Sequence, residues 1–142
     1  MSDRGHAAVE FALAVGALLL PVALVVISFG PWLERRVVAR AAAAEASRAT
    51  VLELDHAAGA EVARGIAAAH GLEMELVRLG WCGSPPTQIE SPSGWCSLAR
   101  GSVVEASVEI RVPLLHTPWG EIGGLWAGAS HVEPVDLYRS LP

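Results

Sequence analysis

The chain lacks lysine and asparagine; all ten of its basic residues are arginine. That is a coding bias and excludes no chemistry. The shortage of positive charge does exclude something. With a net charge of −5 and no basic patch, there is nothing to neutralise a run of phosphates, which argues against a nucleic-acid partner. None of the five histidines, His6, His56, His70, His116 and His131, sits in a zinc-enzyme spacing such as His-Glu-x-x-His. There is no glycine-rich phosphate loop and no Gly-x-Ser-x-Gly elbow. There is also no internal repeat. No nucleophile, metal ligand set or acid–base pair stands out, so the expectation is a protein that is not an enzyme, with no cofactor and no metal.

Cysteine is scarce too. Cys82 and Cys96 are the only two, with thirteen residues between them. A redox-active pair needs the two closer, usually two residues apart. In an exported domain two such cysteines read as one disulfide, closing a loop of about 15 residues and contributing on the order of 3 kcal/mol in the loop-entropy model. Two free thiols or a metal site remain as alternatives. The loop is rich in Pro, Ser and Gly, and Trp81 and Trp95 each precede a cysteine, where they are expected to shield the bridge.

Charge is missing altogether over the 23 residues Phe11 to Leu33. About 20 apolar residues span the hydrocarbon core of a bilayer, so this run is long enough to cross one. Glu10 stands at its N-terminal lip. A carboxylate there must stay near the headgroups or find a partner, which makes it a functional candidate. The alternative is that Glu10 simply sits in the headgroup layer of a signal anchor. Pro21 removes one backbone hydrogen bond and is expected to kink the helix; Gly30-Pro31 is a second weak point, and Trp32 suits an interfacial anchor. Ala8, Ala12 and Gly16 recur at every fourth residue, a spacing that lets membrane helices approach closely. A conventional signal peptide would be shorter, with a basic start and a cleavage site after the apolar core; here Glu34-Arg35-Arg36 follows instead.

Beyond the run, Glu34 to about Leu54 is alanine-rich, and alanine is the best helix former. The membrane helix is expected to continue outward, with Val37, Ala41, Ala44 and Val51 on one face. Asp55 is a plausible N-cap for a second helix from about His56 to His70, with Val62, Ile66 and Ala69 toward the core and Gly71 as a left-handed cap. Three strands are expected: Leu72 to Leu76, Val104 to Val112 with the cleanest period-two alternation, ended by Pro113, and Leu125 to Val132. His131 and Glu133 lie on one face of the last and are expected to pair at the surface. Gly120 to Gly128 reads as a loop leading into that strand; Trp119 and Trp126 could form a partner surface, but burial in the core or an interface is the expectation.

Arg4-Gly5-His6-Ala7-Ala8-Val9-Glu10-Phe11 and the apolar run after it resemble the processing signal of type IV pilin-like proteins, in which a short leader ends in Gly and Glu is the fifth mature residue. Residues 4 to about 50 look most like the TadE-like pseudopilins of tight-adherence (Tad/Flp-type) pilus assembly. Ala129-Ser130-His131-Val132-Glu133-Pro134 is a looser match to the strand that often ends such chains. The resemblance implies a leader over 1–5, a transmembrane helix over 6–33 and an extracytoplasmic α+β domain over 34–142. That domain would hold the outward helix, a second short helix and a small three-stranded antiparallel sheet. It also implies cleavage after Gly5 by a prepilin-type peptidase on the cytoplasmic side, with His6 as the new N-terminus. His6 departs from the Phe found in many pilins. Glu10 and Phe11 would be read by the peptidase and during assembly. The freed α-amine of His6, one helical turn from Glu10, could offset its carboxylate within one chain or between subunits, and the resemblance implies the latter. Partners would be other pilins or pseudopilins and the assembly platform in the inner membrane, crossed once with the N-terminus in the cytoplasm. Counting Arg35, Arg36 and Arg40 against Arg4 gives the opposite orientation; the two cysteines favour an oxidising exterior, so the resemblance is followed. The competing class is a single-pass anchored extracytoplasmic binding domain that never assembles.

Overall fold

The computed structural model describes residues 4–117 and 119–138. Residues 1–3 of the expected leader and 139–142 of the expected domain lie outside them. The alanine content takes the chain into one uninterrupted helix, α1 (Arg4–Glu53), 50 residues long and so about 75 Å at 1.5 Å per residue. Pro21 and Pro31 both lie inside it. Each withdraws one N–H from the ladder, yet the helix remains continuous across both.

Leu54 stops α1 by adopting a left-handed conformation (φ 55°). Asp55 then caps α2 (His56–Ala69), its carboxylate accepting from the Ala57 N–H at 2.9 Å. Gly71 (φ 65°) closes the far end of α2 as expected, with its N–H on the Ala68 carbonyl at 2.9 Å. The cap and the Gly71 stop are therefore where the residue types place them. The buried faces are not. On α1 the core face is Val38, Ala39, Ala42, Ala43, Ala46, Ser47, Thr50 and Val51, whereas Val37 (68% exposed) and Ala41 point outward. On α2 it is His56, Gly59, Ala60, Ala63 and Ala67, with Val62 and Ile66 half-buried and Ala69 exposed. The reason is steric. The two helices meet through alanine and glycine, so the larger residues are displaced to the sides of the contact.

Four strands make the main sheet, in the order β2-β1-β3-β6, all antiparallel. They are β1 (Val77–Trp81), β2 (Thr87–Gln88), β3 (Val103–Val112) and β6 (Leu125–Pro134). A separate hairpin, β4 (Leu115–Thr117) with β5 (Gly120–Ile122), follows β3. The expected three-stranded sheet is thus corrected to four strands plus a hairpin. The expected first strand is corrected as well. Leu72 is buried, but Met74–Leu76 form a 3-10 turn, and the strand starts at Val77. Five alternating residues next to a helix cap were too few to fix an extended run. β1 itself alternates, with Val77, Leu79 and Trp81 in the core and Gly80 covered on the other face by the loop at Ser84 and Pro86, but it is out of phase with the Leu72-Met74-Leu76 alternation that precedes it.

β3 keeps its predicted alternation, with Val104, Ala106, Val108, Ile110 and Val112 buried. It pairs with β6 over ten residues, from Val103↔Pro134 to Val112↔Leu125. The buried side of this pair faces the outer half of α1, and together with α2 they enclose one core around Leu79, Trp81 and Ile110.

Gly59 and Gly65 both weaken α2 by propensity, but only one is needed. A Cβ on Gly59 would lie 2.6 Å from the Ala46 carbonyl oxygen and 2.8 Å from the Trp81 ring; at Gly65 it would meet nothing within 4 Å. Gly59→Ala should therefore destabilise the domain by about 1–3 kcal/mol through overpacking. Gly65→Ala should stabilise it by about 0.5–1 kcal/mol through helix propensity. Thermal unfolding of the two variants in detergent should move in opposite directions.

Candidate functional site: a helix gripped at one end

α1 changes character along its length. Up to Val37 its apolar side chains are largely bare. Val9, Phe11 (70% exposed), Leu13, Leu18, Val26 and Ile27 are exposed, and the most apolar stretch of α1, long enough to cross a membrane, contains no buried residue. From Val38 onward the sheet and α2 cover one side of it. Gly5 and His6 lie in the helical backbone of its first turns. Glu10 and Phe11 follow, both exposed. Ala12 is exposed, and a Cβ at Gly16 would meet nothing within 4 Å. Gly5, His6, Glu10 and Phe11 thus share one helical segment, far along α1 from the folded domain.

At the border between bare and covered helix, aromatic and cationic side chains collect. Phe29 and Trp32 stack with centroids 5.5 Å apart, and the Arg36 guanidinium lies 5.2 Å from the Trp32 ring. Beside them Leu33, Arg36, Val37 and Arg40 line an open cavity of about 350 Å³ with Ala129 and His131 of β6. His131 Nε2 and Glu133 Oε2 are 3.4 Å apart and partly exposed, the surface pair expected from their spacing.

Cys82 and Cys96 form a disulfide, with Cα atoms 5.5 Å apart. Cys82 takes a left-handed conformation (φ 48°) and is exposed; Cys96 is buried. The two flanking tryptophans do not share the expected shielding role. Trp81 is in the core, while Trp95 is 79% exposed. The loop is tied down by the Trp81 N–H on the Ser93 carbonyl and the Cys82 N–H on the Glu105 carbonyl, each at 2.9 Å.

The residue that sequence reasoning missed is His56. It is buried at the start of α2, and its Nε2 accepts the Cys96 N–H at 3.1 Å. Its ring meets Trp81 and Trp95 edge-on, at centroid distances of 5.1 and 4.8 Å. One imidazole thus joins helix, core tryptophan and disulfide loop. The signal for it was weak: a histidine right after an N-cap, with its partner forty residues away. His56, Trp81 and Trp95 line a cavity of about 220 Å³ with Arg64, Glu90 and Gly94. Among the described residues, no group of three or more His, Cys, Asp or Glu could hold a metal ion.

No family model, curated protein or solved structure matches the chain.

Burial pushes the His56 imidazole below its ordinary value of 6.5, and the adjacent Asp55 carboxylate opposes this more weakly. Accepting the Cys96 N–H also requires the neutral ring. As the pH falls below about 6.5, the unfolded chain takes up a proton that the folded one resists, so stability declines. His56→Gln keeps an acceptor that does not titrate. Comparing denaturation midpoints at pH 7.5 and 5.5, this variant should lose less on acidification than the unaltered protein. His56→Ala, which strands the buried Cys96 N–H, should cost about 1–3 kcal/mol at either pH.

Proposed function

We propose that this chain is a TadE-like pseudopilin: a non-enzymatic subunit that takes part in assembling a Tad/Flp-type pilus or a related secretion apparatus. The observation that carries the reading is the division of α1. Its N-terminal part is helical, apolar and bare, with Gly5 and Glu10-Phe11 at its start, while its C-terminal part is the spine of a small α+β domain. A helix that is apolar on all sides and covered by nothing must be buried in lipid or against other subunits. Gly-x4-Glu-Phe at its head is what a prepilin-type peptidase would read.

On this reading the peptidase cuts after Gly5 and leaves His6 at the mature N-terminus. The helix is retained in the inner membrane, and Glu10 aligns the subunit against the α-amine of a neighbour. The domain lies outside the cytoplasm; the Cys82–Cys96 disulfide supports an oxidising compartment against the arginine count at the helix flank. The partners are other pilins or pseudopilins and the assembly platform.

A second reading has one observation in its favour. Trp95 stands exposed at the cavity lined by His56, Arg64 and Glu90, which would suit a membrane-anchored binding domain that does not assemble.

Mass spectrometry of the membrane-extracted protein separates the two. The pseudopilin should begin at His6, and Gly5→Ala should abolish that start. Glu10→Ala should insert into the membrane normally but lose at least ten-fold in co-purification with pilus components. An intact start at Met1 or Ser2, with co-purification indifferent to Glu10, would select the anchored binding domain.

A further inference from the structure

The end of the sheet reaches back along α1, past the border at which the domain begins. Val25, Phe29 and Trp32 of α1 face Pro113, Leu114 and Leu125 across a groove of about 410 Å³, and among the described residues no charged one lines it. The α1 wall belongs to the uncharged run Phe11 to Leu33. Val25 precedes Leu33 by eight residues, about 12 Å along the axis. Whatever surrounds the last turns of that run therefore also fills the groove and wets its other wall.

That wall is apolar and open. Leu114 and Leu125 are about half exposed, and Trp119, at the turn between β4 and β5, is 92% exposed. These residues flank the β3–β4 corner and the hairpin beyond it. On the domain side of the corner, arginine and tryptophan collect. Arg36 lies over Trp32. Arg111 precedes Val112 and is in register with Trp126, whose ring is covered by the Arg78 guanidinium at 3.9 Å. The acids of β3, Glu105 and Glu109, lie seven and three residues from Val112, roughly 23 and 10 Å farther along the strand. The hairpin's own titratable residues, His116 and Glu121, are opposite one another in register. Apart from His116 and Glu121 in the hairpin and Glu34 on α1, an apolar corner gives way to a belt of arginine and tryptophan and then to acids, the layering of a surface seated at a bilayer interface.

We infer that this corner is a second membrane contact. Leu114, Leu125 and Trp119 enter the interface of the leaflet that α1 leaves, and a lipid acyl chain occupies the groove against Phe29 and Trp32. The inference rests on α1 spanning the bilayer. It does not depend on cleavage at Gly5 or on assembly.

The test uses the full chain reconstituted in phosphatidylcholine–phosphatidylglycerol vesicles, with and without bromine on the acyl chains. The emission lost in Trp119→Phe reports Trp119, and that lost in Trp32→Phe reports the span. Trp119 is so exposed that its replacement leaves the fold unchanged. Both signals should be blue-shifted and lose at least half their intensity to brominated lipid, with little response to aqueous iodide. If Trp32 is quenched by bromine while Trp119 responds only to iodide, the corner stands in water and the inference is wrong, although the span survives. Trp119 shielded from both quenchers means that protein covers it, which also overturns the inference. A Trp32 signal indifferent to bromine removes the span and this inference together.

Discussion

An alanine-lined seam between the outer half of α1 and the structure around it is the constraint on which the rest depends. Ala39, Ala42, Ala43 and Ala46 are all essentially without exposure, and Gly59 of α2 comes against Ala46 and Thr50. Small side chains bury little area each, and hydrophobic stabilisation follows the area removed from water. The larger share of apolar area must therefore come from the sheet, where Leu79, Trp81, Val104, Val108 and Ile110 are fully covered. What the seam supplies is closeness. It brings the helix axis near enough for the two long strands, β3 and β6, to lie along it. It also leaves Ala41, Glu45 and Arg48 exposed on α1.

Much of this architecture was legible in residue types whose effect is local. Asp55 could cap because its carboxylate reaches an N–H two residues on; Gly71 could stop α2 because it tolerates a positive φ. The alternation of Val104 to Val112 announced a strand with one buried side. The pairing of Cys82 with Cys96 followed from there being no other candidate. What stayed hidden was phase and partnership. In an alanine tract every face is apolar, so nothing in the order of residues said that Val38 rather than Val37 would turn inward. β1 alternates too, with Val77, Leu79 and Trp81 in the core, but it is short and out of phase with the Leu72-Met74-Leu76 alternation just before it, so the earlier run was read as the strand.

The same distinction holds for function. The bare helix and its charged lip are one-dimensional features and were read directly. His56 was not, because its importance lies in an N–H forty residues away and in two tryptophan rings. Nor was the place of Trp119, expected in a core or an interface, which is outside the core and almost wholly exposed at a hairpin turn. The arginines near the border were likewise read only as charges to be counted. In the structure one of them, Arg36, lies over the Trp32 ring, and Arg78 of β1, which was not in that count, covers Trp126. They thereby join the border region physically as well as electrically.

The unbroken course of α1 from Arg4 to Glu53 has a mechanical result. No loop intervenes between the part proposed to lie in lipid and the part clasped by the strands, so the two share one azimuth. Twisting the inner end about the long axis must swing the outer domain through the same angle. If such rods stack beside one another, the heading of each head is dictated from below, by how its stem is seated.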